Sequence, residues 1–317
     1  MQMLNGIFQL YLHAHPAAVL AAFPIPADVF WLYFAAIVLF AIGLTIIIKN
    51  ELPQKHGLDK ILPFGRLFYA IPMAVFGTEH LVDAPDIAQL VPSWMPAHLF
   101  WTYLVGVALI SAALSIIFKR CPRLAATLLG IMLSLFVAMI TIPAIVAQPR
   151  ERLFWVLALR DLSFAGGAFA FAGSQMQLRR TNGSHWLVTL GRFIIGTAAV
   201  VFGVEQFLHP TLVPGVPLNR VTPAWIPGHI FWTYLSGAVL VATGACILIN
   251  VKARLAATYL GIMILLLMLF IYLPILIAEP LSIANGLNYF FDTLVFGGAA
   301  LVLADAIGEG SRPTPGL

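Results

Sequence analysis

Two copies of one motif carry the side chains in this chain that are best suited to chemistry. The motif Trp-x-Pro-x-His-x-Phe-Trp-x-Tyr-x-x-Gly occupies residues 94–106 and again residues 225–237, and Phe-Gly-x-Glu precedes each copy and ends at Glu79 or Glu205. A carboxylate and a histidine can exchange protons with a bound molecule, and aromatic side chains can line an apolar cleft. The repetition therefore predicts two similar sites, each positioned by the elements around its motif.

A second set of charged residues follows each copy, inside a stretch that is apolar enough to cross a membrane. Asp161 and Asp292 occupy equivalent positions, and Arg160 precedes the first aspartate, whereas a phenylalanine precedes the second. A charge in hydrocarbon costs at least about 2.5–3.5 kcal/mol. These groups should therefore converge near the outer end of one four-helix unit and pair with each other, with Glu79 or with His98. Only the first copy has the arginine, so a single active half would be the first.

These residues form two groups of candidates. The catalytic candidates are Glu79, His98, Arg160 and Asp161. The ligand-binding candidates are Trp94, Trp101, Tyr103, Glu205, His229, Trp232 and Asp292. Structural roles stay open for all of them: the aromatic residues lie at the depth of an interfacial belt, Pro-x-His can simply start a helix, and the carboxylates can form ion pairs with the arginine. The two histidines could also ligate haem as a pair, although any symmetric repeat generates such pairs.

The composition identifies an integral membrane protein. Of the 317 residues, 61% are apolar and only 9% are charged, which lies far outside the range of soluble domains. The 17 basic and 13 acidic residues give a net charge of +4 that is spread over short loops. We therefore expect the lipid bilayer as the surroundings and no nucleic-acid partner.

The apolar stretches predict an all-α polytopic protein with about nine transmembrane helices. Lys49, Lys55 and Lys60 follow the first span and mark the cytoplasmic side, which places the N-terminus outside and the C-terminus in the cytoplasm. Arg150 and Arg152 break this charge rule because they fall on the outer side, and we expect a reason that holds them there. The predicted spans are about 29–48, 64–82, 98–118, 124–147, 153–172, 187–207, 229–250, 255–278 and 287–306.

Spans six to nine repeat spans two to five, and the repeats are parallel because four crossings is an even number. The second repeat carries about five extra residues around 214–217. Paired glycines in spans five and nine, at 166–167 and 297–298, are interpreted as close helix packing. The predicted organisation is an N-terminal surface segment with the first span at 1–62, repeats at 63–180 and 181–306, and a disordered tail at 307–317.

Cysteines and histidines give little support for a thiol or metal site. Cys121 and Cys246 are not equivalent in the two repeats, and neither belongs to a CxxC pair, so a thiol–disulfide mechanism is not expected. His13 and His15 lack a further ligand and the i,i+4 spacing of a helical metal site. We predict no metal site and no covalently bound cofactor.

The order F-G-x-E, W-x-P-x-H-x-F-W-x-Y-x-x-G, an inner R-L-A-A and an outer proline resembles the DoxX/DoxD family of bacterial and archaeal four-span membrane proteins. The resemblance covers about 64–172 and again about 190–305, so the chain looks like a fused tandem of two such units with one additional N-terminal span. It implies a protein of the bacterial cytoplasmic membrane. It also implies quinone-linked redox chemistry, as in the membrane subunit of thiosulfate:quinone oxidoreductase.

Several functions agree with these residues. A quinone-reactive subunit needs an apolar cleft with a proton donor or acceptor at each carbonyl, which Glu79 and His98 would supply while a partner protein supplies electrons. A non-catalytic structural or assembly subunit of a larger membrane complex would use the same charges only to fix helix register. A small-solute or lipid transporter agrees with the parallel repeats, but Pro143 and Pro274 lie too near the outer ends to break a span at mid-membrane. An enzyme acting on a sterol-like lipid would share the same residue types.

Overall fold

Nine helices that are long and apolar enough to cross a membrane make up most of the described chain. The structure is a computed structural model that describes residues 25–178 and 184–310. The helices are α1 Ala27–Asn50, α2 Leu62–Val82, α3 His98–Phe118, α4 Pro122–Ala147, α5 Arg152–Leu178, α6 Ser184–Leu208, α7 His229–Leu248, α8 Ala253–Ala278 and α9 Asn288–Gly310. The predicted all-α polytopic class is confirmed. The last helix runs past the predicted boundary at 306, and the N-terminal surface segment, with His13 and His15, lies outside the described residues together with 311–317.

The Pro-x-His sequence of each motif starts a helix. His98 and His229 are the first residues of α3 and α7, and the residue before each is left-handed, with φ of 57° at Ala97 and 64° at Gly228. In the first repeat the indole Nε1 of Trp101 donates to a carbonyl of the preceding turn at 3.0 Å. The interpretation that this sequence positions a helix start is confirmed in both repeats.

The third span of each repeat contains a π-helical turn just before a proline. These turns are Val137–Thr141 in α4 and Met268–Tyr272 in α8, and Pro143 and Pro274 follow them. A proline has no N–H to donate and its ring collides with a carbonyl in the preceding turn, and a wider turn relieves both problems. The last residue of each π turn is buried.

The two repeats interlock. The first helix of each repeat packs against the last helix of the other, α2 against α9 and α6 against α5, and α5 and α9 also pack against each other. A β-carbon built on Gly298 would lie 2.5 Å from the backbone nitrogen of Tyr69, and one built on Gly191 would lie 2.5 Å from the carbonyl oxygen of Gly166. Close packing by the paired glycines is therefore confirmed. The expectation that the charged residues converge within one four-helix unit is wrong, because the helices that carry them pair across the repeats.

Ion pairs join the loops and helices at the inner end. Arg66 of α2 binds Glu51 at 2.6 Å, and Lys119 reaches the same carboxylate at 3.3 Å. Lys55 binds Asp305 of α9 at 3.2 Å. These contacts connect the segment after α1 to both repeats, so the additional N-terminal span is part of the same helical assembly.

Candidate functional site

Arg160 joins the two repeats near the outer side. Its Nε donates to Asp161 at 2.8 Å, and its Nη1 donates to Asp292 of α9 at 2.9 Å. The two aspartates occupy equivalent positions in the repeats, and one arginine binds both. The predicted pairing of Arg160 with Asp161 is present, and Asp292 is the further partner that the sequence did not assign to it.

Glu79 has an uncharged partner. The Nδ2 of Asn288 on α9 donates to Glu79 at 3.0 Å, and within the described residues the buried Oδ1 of Asn288 has no hydrogen-bond partner. Asn288 and Asp292 are one helical turn apart and lie on the same face of α9. Glu79, Asn288, Asp292, Arg160 and Asp161 therefore form a continuous row of polar side chains, which we call the outer polar row.

Glu205, the counterpart of Glu79, has a cationic partner. Arg152, the first residue of α5, lies 3.1 Å from Glu205 and also donates to the carbonyls of Pro217 at 2.8 Å and Leu218 at 2.7 Å. Arg152 is the functional residue that the sequence analysis did not select. Its signal was the exception to the positive-inside rule, and the structure shows why an arginine lies on the outer side.

The extra residues of the second repeat form a re-entrant loop. The antiparallel pair Leu212 and Val221 closes its base, and every residue from 213 to 218 is buried. A β-carbon built on Gly215 at the tip would lie 3.5 Å from Leu267 Cδ1, and Leu267 is about 16 Å below the outer end of α8 at 1.5 Å per residue. The loop therefore reaches about half of the roughly 30 Å hydrocarbon thickness. Irregular backbone is stable at that depth because protein surrounds it.

The equivalent space of the first repeat is not filled in this way. The connection between α2 and α3 consists of two short helical turns, Ala84–Ile87 and Ala88–Leu90, and then an irregular stretch that turns at residues 92–95. Side-chain exposure is 22% for Arg160 and 19% for Asp161, against 8% for Asp292. We call the space that leaves Arg160 and Asp161 accessible the first-repeat cleft.

The structure does not bring His98 into the outer polar row. Its imidazole is half-buried and, within the described ranges, forms no hydrogen bond or ion pair. Glu79 faces α9, whereas the neighbouring His80 and Gly77 face α3, where a β-carbon on Gly106 would lie 3.0 Å from His80 Cβ. The expected pairing of His98 with Glu79 or Asp161 is wrong, because Glu79 binds Asn288 and Asp161 binds Arg160.

The aromatic candidates lie at the lipid-facing surface. Trp94, Trp101 and Tyr103 are exposed, and they occupy the outer end of α3 and the turn before it. Such positions are typical of an interfacial belt. The structure therefore does not bring these three residues to the charged groups that they were expected to accompany.

The corresponding residues of the second repeat lie in different surroundings. Trp232 stacks on Phe270 with ring centroids 5.9 Å apart and lines an apolar groove of about 440 Å³ between α7 and α8. His229 has a buried Nδ1 that lacks a hydrogen-bond partner within the described residues. Neither residue contacts Glu205 through a hydrogen bond or ion pair in that part of the chain.

Metal and thiol chemistry receives no structural support in the described ranges. No group of three or more His, Cys, Asp or Glu side chains there is arranged to hold a metal ion. Cys121 and Cys246 are free, and Cys121 lies in the connection between α3 and α4 whereas Cys246 lies within α7.

Comparison with known proteins adds one match. A family model described as a domain of unknown function (DUF8561) matches residues 69–161. The match begins in α2 and ends in α5 at Asp161, and it therefore covers most of the first repeat. No curated protein matches the chain. No solved structure matches it either.

Proposed function

We propose that the chain is a DoxX-like membrane subunit of a quinone-linked oxidoreductase in the bacterial cytoplasmic membrane, and that a quinone-type ligand binds in the first-repeat cleft. One observation carries the proposal. Within the described residues, the carboxylate of Glu79 is paired only with an amide and belongs to the same polar row as the partly accessible Arg160, whereas Glu205 is paired with Arg152 beside a buried loop. The two halves share one architecture, but the equivalent glutamates have an uncharged partner in the first half and a cationic partner in the second.

The residues of the cleft suit the chemistry of a quinone. Reduction of a quinone to a quinol takes two electrons and two protons, and each carbonyl oxygen becomes a hydroxyl. Arg160 retains N–H groups that can donate to a carbonyl, Asp161 and Glu79 can exchange protons, and apolar helices exclude bulk water. The electrons would come from a partner protein, and the protons would reach the ligand from the outer side through Glu79.

Binding of a short-tailed benzoquinone to the purified protein tests this proposal. Quenching of tryptophan fluorescence by ubiquinone-1 should saturate for the wild type, and Glu79→Gln should weaken binding by about ten- to a hundredfold, because a hydrogen bond to a charged group contributes about 1.5–3 kcal/mol. Asp86→Asn is the matched control, since Asp86 is an exposed carboxylate on the same side outside the polar row. Absence of saturable binding, or equal affinities in Glu79→Gln and Asp86→Asn, would refute the proposal.

A structural or assembly subunit is the second candidate, and the Arg160 bridge favours it. An arginine that holds two aspartates from different repeats at 2.8 and 2.9 Å is suited to fixing helix register. In this case the chain would carry no ligand and would be recovered with partner proteins. Solubilisation in a mild detergent followed by mass spectrometry distinguishes the candidates, because recovery as a lone monomer with bound quinone excludes the assembly role.

A further inference from the structure

The residues that contact the re-entrant loop in the second repeat have counterparts in the first repeat. Residues of α4 and α5 match residues of α8 and α9 at a constant spacing of 131 positions, as Asp161 matches Asp292. In the second repeat, the hydroxyl of Tyr272 donates to the carbonyl of Pro214 at 2.9 Å, and Gly215 packs against Leu267 and Thr293. Gly215 has a φ of +107°, a conformation that favours glycine at the tip.

The first-repeat counterparts of these contacts are more accessible. Leu267 and Thr293 are each 1% exposed, whereas their counterparts Phe136 and Leu162 are only half-buried. The difference follows from the loop, because the first repeat has no such insertion between α2 and α3. The same helical frame therefore contains an internal occupant in one half, and the corresponding positions of the other half are more accessible.

Thr141, the counterpart of Tyr272, has a free hydroxyl. It is 7% exposed, yet within the described chain its Oγ1 has no hydrogen-bond partner. The hydroxyls of Thr102 and Thr127 instead bond to the carbonyl four residues earlier in their own helices. A hydroxyl that has no partner in its own helix retains its O–H, so this position is suited to a ligand that accepts a hydrogen bond.

We propose that Pro214–Leu218 is an internal occupant of the second-repeat cleft, and that the Thr141 hydroxyl donates to a carbonyl oxygen of the ligand in the first-repeat cleft. This inference rests on the proposed function. It adds a residue that binds the ligand and the number of ligand molecules that one chain binds. The ligand is an apolar, carbonyl-bearing molecule that takes the place of the loop tip. One chain therefore binds one such molecule, because the second cleft is closed by the chain itself.

Substitutions at Thr141 test the binding residue. Titration with ubiquinone-1 should show about three- to tenfold weaker binding for Thr141→Val, the loss expected for one neutral hydrogen bond, and near-wild-type binding for Thr141→Ser. The thermal stability of ligand-free Thr141→Val should equal or exceed that of the wild type, because the variant removes a hydroxyl that forms no hydrogen bond within the described chain. A purely structural role would give the opposite stability change. Unchanged affinity in Thr141→Val would overturn the assignment.

Shortening the loop tests the internal occupant. Replacement of Pro214–Leu218 by two glycines should raise the stoichiometry from one ubiquinone-1 per chain to two. A folded variant that still binds one molecule would overturn the proposal.

The loop position is measured separately by maleimide labelling of Val216→Cys in a Cys121→Ser, Cys246→Ser background. Val216 is 1% exposed, so labelling should require unfolding, and rapid labelling of the folded protein would overturn the internal occupant.

These measurements separate the two proposals. If the wild type binds no ubiquinone-1, the proposed function fails and the assignment of Thr141 fails with it, whereas Val216→Cys labelling still decides whether the loop is an internal occupant. If the wild type binds one molecule but neither Thr141→Val nor the shortened loop changes the titration, the proposed function stands and the further inference is refuted.

Discussion

Removal of the Arg160 side-chain charge should destabilise the contact between the repeats. Arg160→Met leaves Asp161 and Asp292 without their shared cation, at a depth of about 12 Å from the start of α5 at 1.5 Å per residue. Removing one partner of a buried ion pair costs about 3–5 kcal/mol. Because 22% of the Arg160 side chain is accessible, we expect a value near the lower end, about 3 kcal/mol.

Unfolding in mixed micelles of increasing SDS content, followed by tryptophan fluorescence, measures this loss. Arg123→Met is the matched control, because Arg123 is exposed and, in the described part of the chain, unpaired, and its replacement should change the free energy of unfolding by no more than about 0.5 kcal/mol. The triple variant Arg160→Met, Asp161→Asn, Asp292→Asn should recover much of the stability, because it removes the uncompensated carboxylates together with the cation. An Arg160→Met protein as stable as the control would refute the reasoning.

Two further predictions follow from the outer surface. Arg152→Ala should destabilise the protein by about 2–3 kcal/mol, because it removes charge-assisted bonds to Glu205 and to two loop carbonyls. The same variant should make the loop at 211–222 susceptible to protease. Arg150→Ala is the control and should have neither effect. Partial burial, followed by repulsion from Asp28 and Asp86, raises the pKa of Asp83 above its ordinary value of 3.8. The protonated form is therefore favoured in the folded state, and this contribution to stability is present at low pH and is lost as pH rises through the raised pKa. In melting curves recorded from pH 4 upwards, Asp83→Asn should therefore lack the loss of stability that the wild type shows as pH rises through this pKa. The same pH dependence in both proteins would contradict the assignment of this loss to Asp83.

The spans and the repeat could be predicted from the sequence because both depend on local patterns. A stretch of about 20 apolar residues must form a helix in hydrocarbon, since every backbone N–H and carbonyl needs an internal partner. The Pro-x-His turns, the positions of Pro143 and Pro274, and the equivalence of Asp161 with Asp292 are likewise visible in the aligned repeats. The set of charged residues at the outer side was therefore available from the sequence.

The partners of those charged residues could not be predicted in the same way. Glu79 and Glu205 end the same Phe-Gly-x-Glu motif, yet one binds an amide on α9 and the other an arginine on α5. His98 was expected beside Glu79 from its depth alone, and depth does not specify which side of α2 a residue faces. Arg152 was visible as an outer arginine, but its carboxylate and carbonyl partners lie 53 to 66 positions away in the chain.

The sequence by itself determined the membrane class, the nine spans, the tandem repeat and the asymmetry between Arg160 and its phenylalanine counterpart. Only the tertiary structure decided that α2 packs on α9 and α6 on α5, that Arg160 joins the two repeats, and that the five extra residues form a re-entrant loop. The physical reason is that lipid and helix surfaces are similarly apolar, so hydropathy carries no information about neighbours. Neighbours are decided by close contacts of small residues such as Gly298 and Gly191 with helices more than 20 positions away, and these contacts exist only in the folded chain.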